Sequence, residues 1–319
     1  MRNNEGNAET SLDPAKFIDP DITADGQPRA VVALTRLGTL WFNTGTLCNL
    51  TCSACYMESG PRNDRLEYLS LTEVGEYLDE IQEASLPAEE IGFTGGEPFM
   101  NPELPGMLEE ALSRGFRVLV LSNAMRPLQI KKEPLLAVHQ ALGEKLSIRV
   151  SIDHYSKDMH EELRGPHSWK PTLDGVRWLA ANDFNLAIAG RNRWDETEAD
   201  MRAGYGALFQ ELGLKIDAAD PASLVLFPEM DEGRDVPEIT KACWDILGVA
   251  PDTMMCATSR MVVKRKGAPR PVVVPCTLLP YDDRFDLGHD LAGSAGLVNL
   301  NHPHCARFCV LGGGACSAS

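Results

Sequence analysis

Residues 39–56 read TLWFNTGTLCNLTCSACY, a short apolar segment followed directly by three cysteines. The apolar segment has the length and composition of a buried strand, so Cys48, Cys52 and Cys55 are predicted to lie on a loop at its C-terminal end. A structural zinc site needs four protein ligands, yet neither Cys nor His occurs from residue 56 to residue 138. Three thiolates on an iron–sulfur cluster would instead leave one iron open to another ligand. Zinc ligation and unligated thiols are the alternatives.

Similar apolar segments recur along the chain and alternate with helical patterns. The predicted strands cover residues 39–45, 90–95, 117–123, 147–153, 184–190 and 223–228. Ser70 with Glu73 forms a capping box before one amphipathic pattern, and Asp195 with Glu198 is predicted to begin a later helix. Short strands alternating with helices predict an α/β fold with a parallel sheet, either doubly wound or an incomplete barrel. In both arrangements the chemistry belongs at the C-terminal ends of the strands.

The composition excludes several classes of partner. The 319 residues include 30 Lys plus Arg and 46 Asp plus Glu, which gives a formal net charge of −16. So acidic a surface gives no general attraction to nucleic-acid backbones or anionic lipid. The opening stretch, MRNNEGNAETSLDPAK, has no apolar core for a signal peptide, and no apolar run has the length of a membrane span. We therefore expect a cytoplasmic protein, where nine cysteines favour metal or cluster ligation over disulfides.

The CX3CX2C spacing after a first strand, with Tyr56 beside the third cysteine, resembles the radical S-adenosylmethionine (SAM) superfamily. The resemblance covers about residues 38–230 and implies a partial (β/α)6 TIM-like barrel. It implies a 4Fe–4S cluster whose open iron chelates the amino and carboxylate groups of SAM. It further implies reductive cleavage of SAM to a 5′-deoxyadenosyl radical that removes a hydrogen atom from a substrate, with a reductant such as flavodoxin or ferredoxin.

The ends of the next three strands carry the residues that the resemblance assigns to the cofactor. Gly95-Gly96-Glu97-Pro98 is similar to the family's GGEP segment, where glycines let the backbone approach the methionine amino group. The other implied contacts are Ser122, Asn123, Ser151, Asp153 and Arg164, with Arg191 and Asn192 as further candidates after the fifth strand. The forked guanidinium of Arg164 suits the methionine carboxylate. The alternative is that Arg164 is an ordinary solvated side chain. Strand five has no GxIxGxxE-like segment, since FNLAIAGRNRW stands there.

A second group of cysteines lies near the C-terminus: Cys256, Cys276, Cys305, Cys309 and Cys316. The first two bracket MVVKRKGAPRPVVVP, which predicts a hairpin with its turn at residues 266–269. This arrangement is similar to the auxiliary-cluster modules called Twitch and SPASM, which implies one auxiliary 4Fe–4S cluster on four of the five thiols. Any four could ligate, with Cys256, Cys276 and Cys305 the first choices and Cys309 ahead of Cys316. His302 or His304 could substitute as a ligand. A zinc ribbon and a tail of free thiols are the alternatives.

The ninth cysteine, Cys243, falls with Ile239 and Ile246 on the apolar face of a predicted helix. A buried packing thiol is therefore expected, and a hydrogen-atom donor to a substrate radical is the alternative. The predicted organisation is a flexible arm over residues 1–30, a radical SAM partial barrel over 31–235 and a Cys-rich auxiliary-cluster region over 236–319.

These observations lead to one functional hypothesis and two alternatives. The first is a radical SAM enzyme that acts on a small molecule, with the auxiliary cluster aiding oxidation or bond formation. A small molecule is expected because 30 polar residues before the barrel leave no room for a peptide-recognition domain. The second is a radical SAM enzyme that modifies a peptide or protein side chain. The third, from another class, is a non-catalytic metal-binding or redox-sensing protein.

Overall fold

The computed structural model describes residues 11–316. Its strands are β1 (Val31–Val32), β2 (Thr39–Asn43), β3 (Glu90–Thr94), β4 (Arg117–Ser122), β5 (Leu146–Ser151), β6 (Asn185–Asn192), β7 (Leu224–Pro228), β8 (Ser259–Val263), β9 (Val272–Val274) and β10 (Val298–Asn299). Its helices are α1 (Leu71–Glu83), α2 (Leu104–Ser113), α3 (Arg126–Ile130), α4 (Lys132–Leu142), α5 (Lys157–Arg164), α6 (Trp169–Ala181), α7 (Glu198–Leu212), α8 (Cys243–Leu247) and α9 (Met255–Thr258). None of the helices within this range is long and apolar enough to cross a membrane.

Strands β2 to β7 form a parallel sheet in which each strand pairs with the next one along the chain. Phe42 lies opposite Phe93, and Phe93 lies opposite Val120, so apolar side chains are in register across the first three strands. All five residues of β2 are buried, as expected for a parallel strand covered on both faces. The predicted α/β class with a partial-barrel sheet is confirmed, and all six strands predicted from apolar segments form.

The helices between these strands begin where local side chains satisfy their first backbone N–H groups. At α1, the Ser70 hydroxyl accepts from the Glu73 N–H at 3.2 Å, and the Glu73 carboxylate accepts from the Ser70 N–H at 2.9 Å. The predicted capping box is therefore confirmed. At α7 the prediction is wrong by two residues, because Thr197 rather than Asp195 is the cap. Asp195 has a φ of +56°, which lies outside the right-handed helical region.

Residues 11–30 pack against the C-terminal half of the chain. Arg29 is 1% exposed, and its guanidinium lies 2.6 Å from the Glu238 carboxylate. The same carboxylate accepts from the backbone N–H of Phe17 at 2.7 Å, and the Phe17 ring is buried. The flexible arm predicted over residues 1–30 is therefore wrong for residues 11–30, because a buried charge pair and a buried ring fix this segment. Residues 1–10 lie outside the described residues.

The sheet continues into the C-terminal region. β8 pairs in parallel with β2, and β9 pairs antiparallel with β8, which is the predicted hairpin. Gly267 in its turn has a φ of +77°, a conformation that glycine adopts without steric cost. A second apolar core surrounds this hairpin and a π-helix, Cys305–Leu311. The sheet thus crosses the domain boundary predicted near residue 235.

Candidate functional site

A cavity opens at the C-terminal ends of the parallel strands, where the loops after β2 to β6 converge. The triplet of cysteines lies in its wall, with Cys48 buried and Cys52 and Cys55 half-buried. The predicted cofactor residues in the same wall are Tyr56, Gly95, Gly96, Ser122, Asn123, Ser151, Asp153 and Arg164. We call this space the triplet cavity. The strand ends bring these residues together, and their role as SAM contacts stays a prediction.

The loop that carries the three cysteines is fixed by hydrogen bonds from distant parts of the barrel. The Ser53 N–H donates to the Leu163 carbonyl of α5 at 2.8 Å. Arg191, at the end of β6, donates from Nη1 to the Ala54 carbonyl at 2.7 Å and from Nη2 to Glu229 at 3.1 Å. Sequence reasoning assigns Arg191 to SAM and misses this positioning role. An arginine directly after an apolar strand segment was the available signal.

Gly95 and Gly96 let the end of β3 pack directly on this loop. The Gly96 N–H donates to the Gly45 carbonyl at 2.8 Å. A Cβ atom on Gly96 would lie 2.3 Å from the Leu47 carbonyl oxygen, and one on Gly95 would lie 2.5 Å from the Gly45 carbonyl oxygen. Since backbone atoms cannot move aside as a flexible side chain can, both positions need glycine. The approach to the methionine amino group implied by the resemblance is a separate role.

Glu97 acts behind the triplet cavity rather than in its wall. Its carboxylate accepts from the Ser122 hydroxyl at 2.9 Å, the Asn123 N–H at 2.8 Å and the Phe99 N–H at 3.2 Å. Burial raises the pKa of Glu97 from 4.5 to about 7 despite these hydrogen bonds. The described residues that line the cavity do not include Glu97 or Pro98. Glu97 is therefore a positioning residue for the end of β4.

Arg164 forms a bidentate pair with Asp153 in the cavity wall. Its Nε donates to Oδ2 at 2.6 Å and its Nη2 to Oδ1 at 3.3 Å. The two side chains are 12% and 8% exposed, so the alternative of a solvated Arg164 is wrong. Two of the five guanidinium N–H groups are engaged by this carboxylate, which leaves donors for a second anionic group. Burial raises the pKa of Cys52, and the Arg164 charge acts in the opposite direction.

Two N–H groups lie near the sulfur of Cys48. The Leu50 backbone N–H lies 3.4 Å from Cys48 Sγ, and the Asn123 side-chain amide lies 3.9 Å from it. Burial raises the pKa of Cys48 to about 12, so a bound metal would be needed to keep this thiol ionised near neutral pH. N–H donors toward sulfur stabilise metal-bound thiolate. Three thiols in one wall with this support fit a cluster that leaves one iron open.

Four of the five C-terminal cysteines line a second cavity, which we call the tail cavity. They are Cys256, Cys276, Cys305 and Cys309. The rest of its wall is mostly apolar, with Met254, Met255, Pro275, Leu278, Leu279, Val298 and Leu300 beside His304. Burial raises the pKa of Cys256 to about 11 and that of Cys305 to about 12. Four thiols around one enclosed space have the ligand number of a 4Fe–4S cluster or of a zinc ribbon.

The fifth C-terminal cysteine, Cys316, lines the triplet cavity instead. Its Sγ accepts from the Thr277 hydroxyl at 3.1 Å, and its carbonyl accepts from Arg149 on β5 at 2.6 Å. These two contacts hold the last described turn of the chain over the inside of the barrel. Cys316 thus lines a different cavity from the other four thiols, although it lies close enough to Cys276 and Cys309 to contribute to their raised pKa values.

Cys243 is not on a buried helix face. It is half-buried at the first residue of α8, and Ile246 on the same short helix is 77% exposed. The Cys243 sulfur accepts from the Thr240 N–H at 3.4 Å. The predicted packing role is confirmed in part: Cys243 packs against the second apolar core and Ile239 is buried, whereas Ile246 is exposed. Within residues 11–316, Cys243 lines neither of the two cysteine cavities, so nothing supports a hydrogen-atom donor at this position.

The sequence is similar to a family model and to proteins of known function. Residues 42–197 match the family model described as the radical SAM superfamily. The subtilosin biosynthesis protein AlbA of Bacillus subtilis (strain 168) is 25% identical over 199 residues, which cover 61% of this chain and 40% of AlbA. The AdoMet-dependent heme synthase of Oleidesulfovibrio alaskensis is 30% identical over 133 residues, which cover 41% of this chain and 32% of the synthase.

The fold is shared with solved structures at low sequence identity. The crystal structure of Streptococcus suis SuiB bound to precursor peptide SuiA matches with a TM-score of 0.59 at 10% identity, over 83% of this chain and 67% of SuiB. At this identity the match supports the fold alone. The matched region spans 40% or less of the length of the two curated relatives.

Proposed function

We propose that this chain is an enzyme that cleaves SAM reductively at a 4Fe–4S cluster held by Cys48, Cys52 and Cys55. The family model and the relatives support its membership in the radical SAM superfamily. When bound, the cluster and SAM together supply a radical able to remove hydrogen from an unactivated carbon. The single observation that carries the proposal is that these three thiols share one cavity wall with the strand-end residues of β3, β4 and β5.

The residues of the chain divide the work at this site. The three thiols would hold the iron, and the N–H groups of Leu50 and Asn123 would stabilise the Cys48 thiolate. Arg164 would bind the methionine carboxylate with the N–H groups that Asp153 leaves unused. Apolar side chains such as Phe227, Met230 and Phe308 would keep water from the reacting atoms.

The tail cavity would hold the auxiliary 4Fe–4S cluster on Cys256, Cys276, Cys305 and Cys309. The number of thiols, their common cavity and its apolar wall support this assignment. Cys316 is the spare thiol in this proposal. An electron acceptor next to the barrel would suit an oxidation or a bond formation, with flavodoxin or ferredoxin as the external reductant.

We favour a peptide substrate. AlbA is named for the biosynthesis of a bacteriocin, and SuiB, which shares the fold, was solved with a precursor peptide. In this chain an open polar cleft runs past the cysteine loop, and Cys52, Cys55 and Tyr56 line both the cleft and the triplet cavity. An open cleft beside the radical site admits an extended chain. The 229–234 segment forms much of the opposite wall.

The small-molecule substrate expected from the sequence is the second candidate. The triplet cavity itself is walled by buried side chains, which suits a compact molecule, and one of the relatives is a heme synthase. Extract of the source cells, divided by size into a peptide fraction and a small-molecule fraction, distinguishes the two. The active fraction should increase 5′-deoxyadenosine formation by the reconstituted protein.

The cleavage itself is tested by replacing Cys48, Cys52 and Cys55 together with Ala. We expect 5′-deoxyadenosine formation under dithionite to be abolished, because no iron able to chelate SAM would remain. Cys243→Ala is the matched control and should cleave SAM normally, since this thiol lies outside both cavities. Cleavage by the triple variant at the wild-type rate would overturn the proposal. An iron-loaded wild-type protein that forms no 5′-deoxyadenosine would favour the redox-sensing alternative.

A further inference from the structure

Two imidazoles and a carboxylate meet at the edge of the tail cavity. Glu232 comes from the 229–234 segment of the cleft wall, and His302 and His304 come from the segment after β10. One ligand atom from each residue can be chosen so that all three lie within 4.8 Å of one another. The proposed function uses none of these side chains.

His304 is the buried member of the group. It is 1% exposed, and neither of its ring nitrogens has a hydrogen-bond partner among the described residues. Its Nε2 lies 2.8 Å from Glu232 Oε1, within ion-pair distance. A buried imidazole whose polar contact among the described residues is a carboxylate has a nitrogen left to bind a cation, and leaving that nitrogen without a partner is costly.

His302 is oriented toward the same point. Its Nδ1 accepts from the backbone N–H of His304 at 3.1 Å, which leaves Nε2 as the available ligand atom. The two rings lie with centroids 4.9 Å apart. A hydrogen bond to one ring nitrogen that fixes the other for a metal is the usual arrangement of ligating histidines.

We propose that Glu232, His302 and His304 form a binding site for a divalent cation of the zinc class. Two imidazoles and one carboxylate suit Zn²⁺ and neighbouring first-row metals, whereas Mg²⁺ and Ca²⁺ prefer oxygen ligands. Three protein ligands leave a fourth position for water or a substrate group. The site is distinct from the four thiols of the tail cavity and does not depend on the proposed SAM chemistry.

The position of this site gives it a structural consequence. Glu232 lines the open cleft beside the cysteine loop, while His304 precedes Cys305 and lines the tail cavity. A bound ion would therefore fasten the cleft wall to the π-helix that carries Cys305 and Cys309. Arg307 already joins the same two segments by donating to the Arg234 carbonyl at 2.7 Å. Because Glu232 is exposed, the ion can exchange with solvent.

The test uses the protein reconstituted anaerobically with iron and sulfide, so that the thiols are occupied before Zn²⁺ is added. Zinc content after dialysis should be one per chain. X-ray absorption at the zinc edge should show nitrogen and oxygen neighbours at about 2.0–2.1 Å and no sulfur shell near about 2.3 Å. Loss of one outer-shell partner already weakens metal binding about 10–100-fold, so Glu232→Gln and His302→Asn should each weaken zinc binding at least that much.

His167→Asn, at an exposed histidine elsewhere on the barrel, is the matched control and should retain zinc. Iron content should be unchanged in all three variants. Zinc with a sulfur shell, zinc retained by Glu232→Gln, or no zinc in the wild-type protein would overturn the proposal. So would loss of iron together with zinc in His302→Asn, since the imidazole would then serve the cluster. SAM cleavage measured on the same preparations reports separately on the proposed function.

Discussion

The two groups of cysteines lie in cavities of opposite character. Around Cys48, Cys52 and Cys55 the wall is partly polar and the space is open toward a cleft, with Arg164 and Asp153 among the lining residues. The tail cavity is enclosed by methionine, leucine, valine and proline side chains. The first group has three thiols and the second has four.

This difference separates two uses of the same ligand chemistry. A site with three thiols and charged neighbours has room for an exogenous ligand and the groups to bind it. A site with four thiols and an apolar wall saturates its metal and excludes water, which suits electron storage or structural support. The number of thiols and the polarity of the wall therefore indicate which site reacts.

The folding of the two sites should also differ. The triplet lies on a loop held by hydrogen bonds from Ser53 to α5 and from Arg191 at the end of β6. The tail thiols are packed inside a small core, where burial raises the pKa of Cys276 and Cys309 well above the ordinary value. Metal binding at such a site contributes directly to folding.

The largest expected effect that tests this comparison is removal of the tail site by Cys256→Ala with Cys276→Ala. The reconstituted protein should lose about half of an expected content of about eight iron atoms per chain. Its melting temperature should fall, because the tail core loses its metal. Some SAM cleavage should remain, since the triplet cavity is built from the barrel.

The corresponding control is the triple Ala variant of the triplet, which should lose the other half of the iron with a smaller change in melting temperature. Iron analysis, circular dichroism and 5′-deoxyadenosine assays measure the three effects. Equal melting temperatures for the two variants would contradict the proposed difference in folding. Retention of all iron in the double variant would show that the tail cavity does not hold iron.

Gly96→Ala should have the next largest effect, and at the triplet site alone. The added Cβ would lie 2.3 Å from the Leu47 carbonyl oxygen and 2.6 Å from that of Thr46, so the cysteine loop must shift. We expect lower iron content at the triplet and a loss of about 1–3 kcal/mol in unfolding free energy. The tail iron should be unaffected.

Gly75→Ala is the control for this substitution. Gly75 lies inside α1 with nothing within 4 Å of an added Cβ, so the change should stabilise the protein by about 0.5–1 kcal/mol. Denaturant unfolding and iron analysis on both variants are the measurements. Full iron occupancy in Gly96→Ala would show that the close approach of β3 to the loop is not required.

A smaller, pH-dependent effect is expected for Glu97→Gln. Burial raises the pKa of Glu97 from 4.5 to about 7. The raised pKa of Glu97 therefore adds to the unfolding free energy. This contribution is fully present below pH 4.5 and is lost as the pH rises through 7. The unfolding free energy of the wild type relative to the variant should fall over this window, by a difference on the order of 3 kcal/mol.

Glu109→Gln, at an exposed carboxylate on α2, controls for the loss of one acidic group. Unfolding in urea at several pH values between 4 and 8 provides the comparison. A wild-type-minus-Glu97→Gln difference that stays constant, or that rises with pH, would contradict the raised pKa. It would leave the hydrogen bonds to Ser122 and Asn123 as the whole role of Glu97.

The sequence predicts the parts of this molecule that depend on local pattern. The apolar segments give the six strands and their order because each is too short and too apolar for an exposed element. The Ser70 capping box and the Gly267 turn are local as well. The cysteine spacing predicts which loop carries chemistry, because parallel strands end at one edge of the sheet.

The remaining features depend on contacts between distant residues. The Arg191 hydrogen bond to the Ala54 carbonyl joins the end of β6 to the cysteine loop, and an arginine after an apolar segment does not by itself identify that partner. Asp195 and Thr197 are both acceptable caps by composition, and backbone conformation alone decides between them. The sequence favours Cys309 over Cys316 as the fourth tail ligand, and the path of the last residues places Cys309 in the tail cavity and Cys316 in the triplet cavity.

The smallest effect is expected for Cys316→Ala. Cys316 lines the triplet cavity and its sulfur already accepts a hydrogen bond from Thr277. Iron content should therefore stay at the wild-type value, and the unfolding free energy should change by about 1 kcal/mol. Cys309→Ala, seven positions earlier, should lose the tail iron, because Cys309 lines the same cavity as the other three thiols.

The pair of variants is sharper than either alone, since both remove one sulfur atom from the same terminal segment and differ only in which cavity they line. Iron and sulfide analysis after identical reconstitution is sufficient. If Cys316→Ala loses iron and Cys309→Ala keeps it, Cys316 rather than Cys309 is the fourth ligand, and the tail cluster lies closer to the barrel. The tail site would then share a wall with the triplet cavity, and the contrast between a partly polar site and an apolar one would fail.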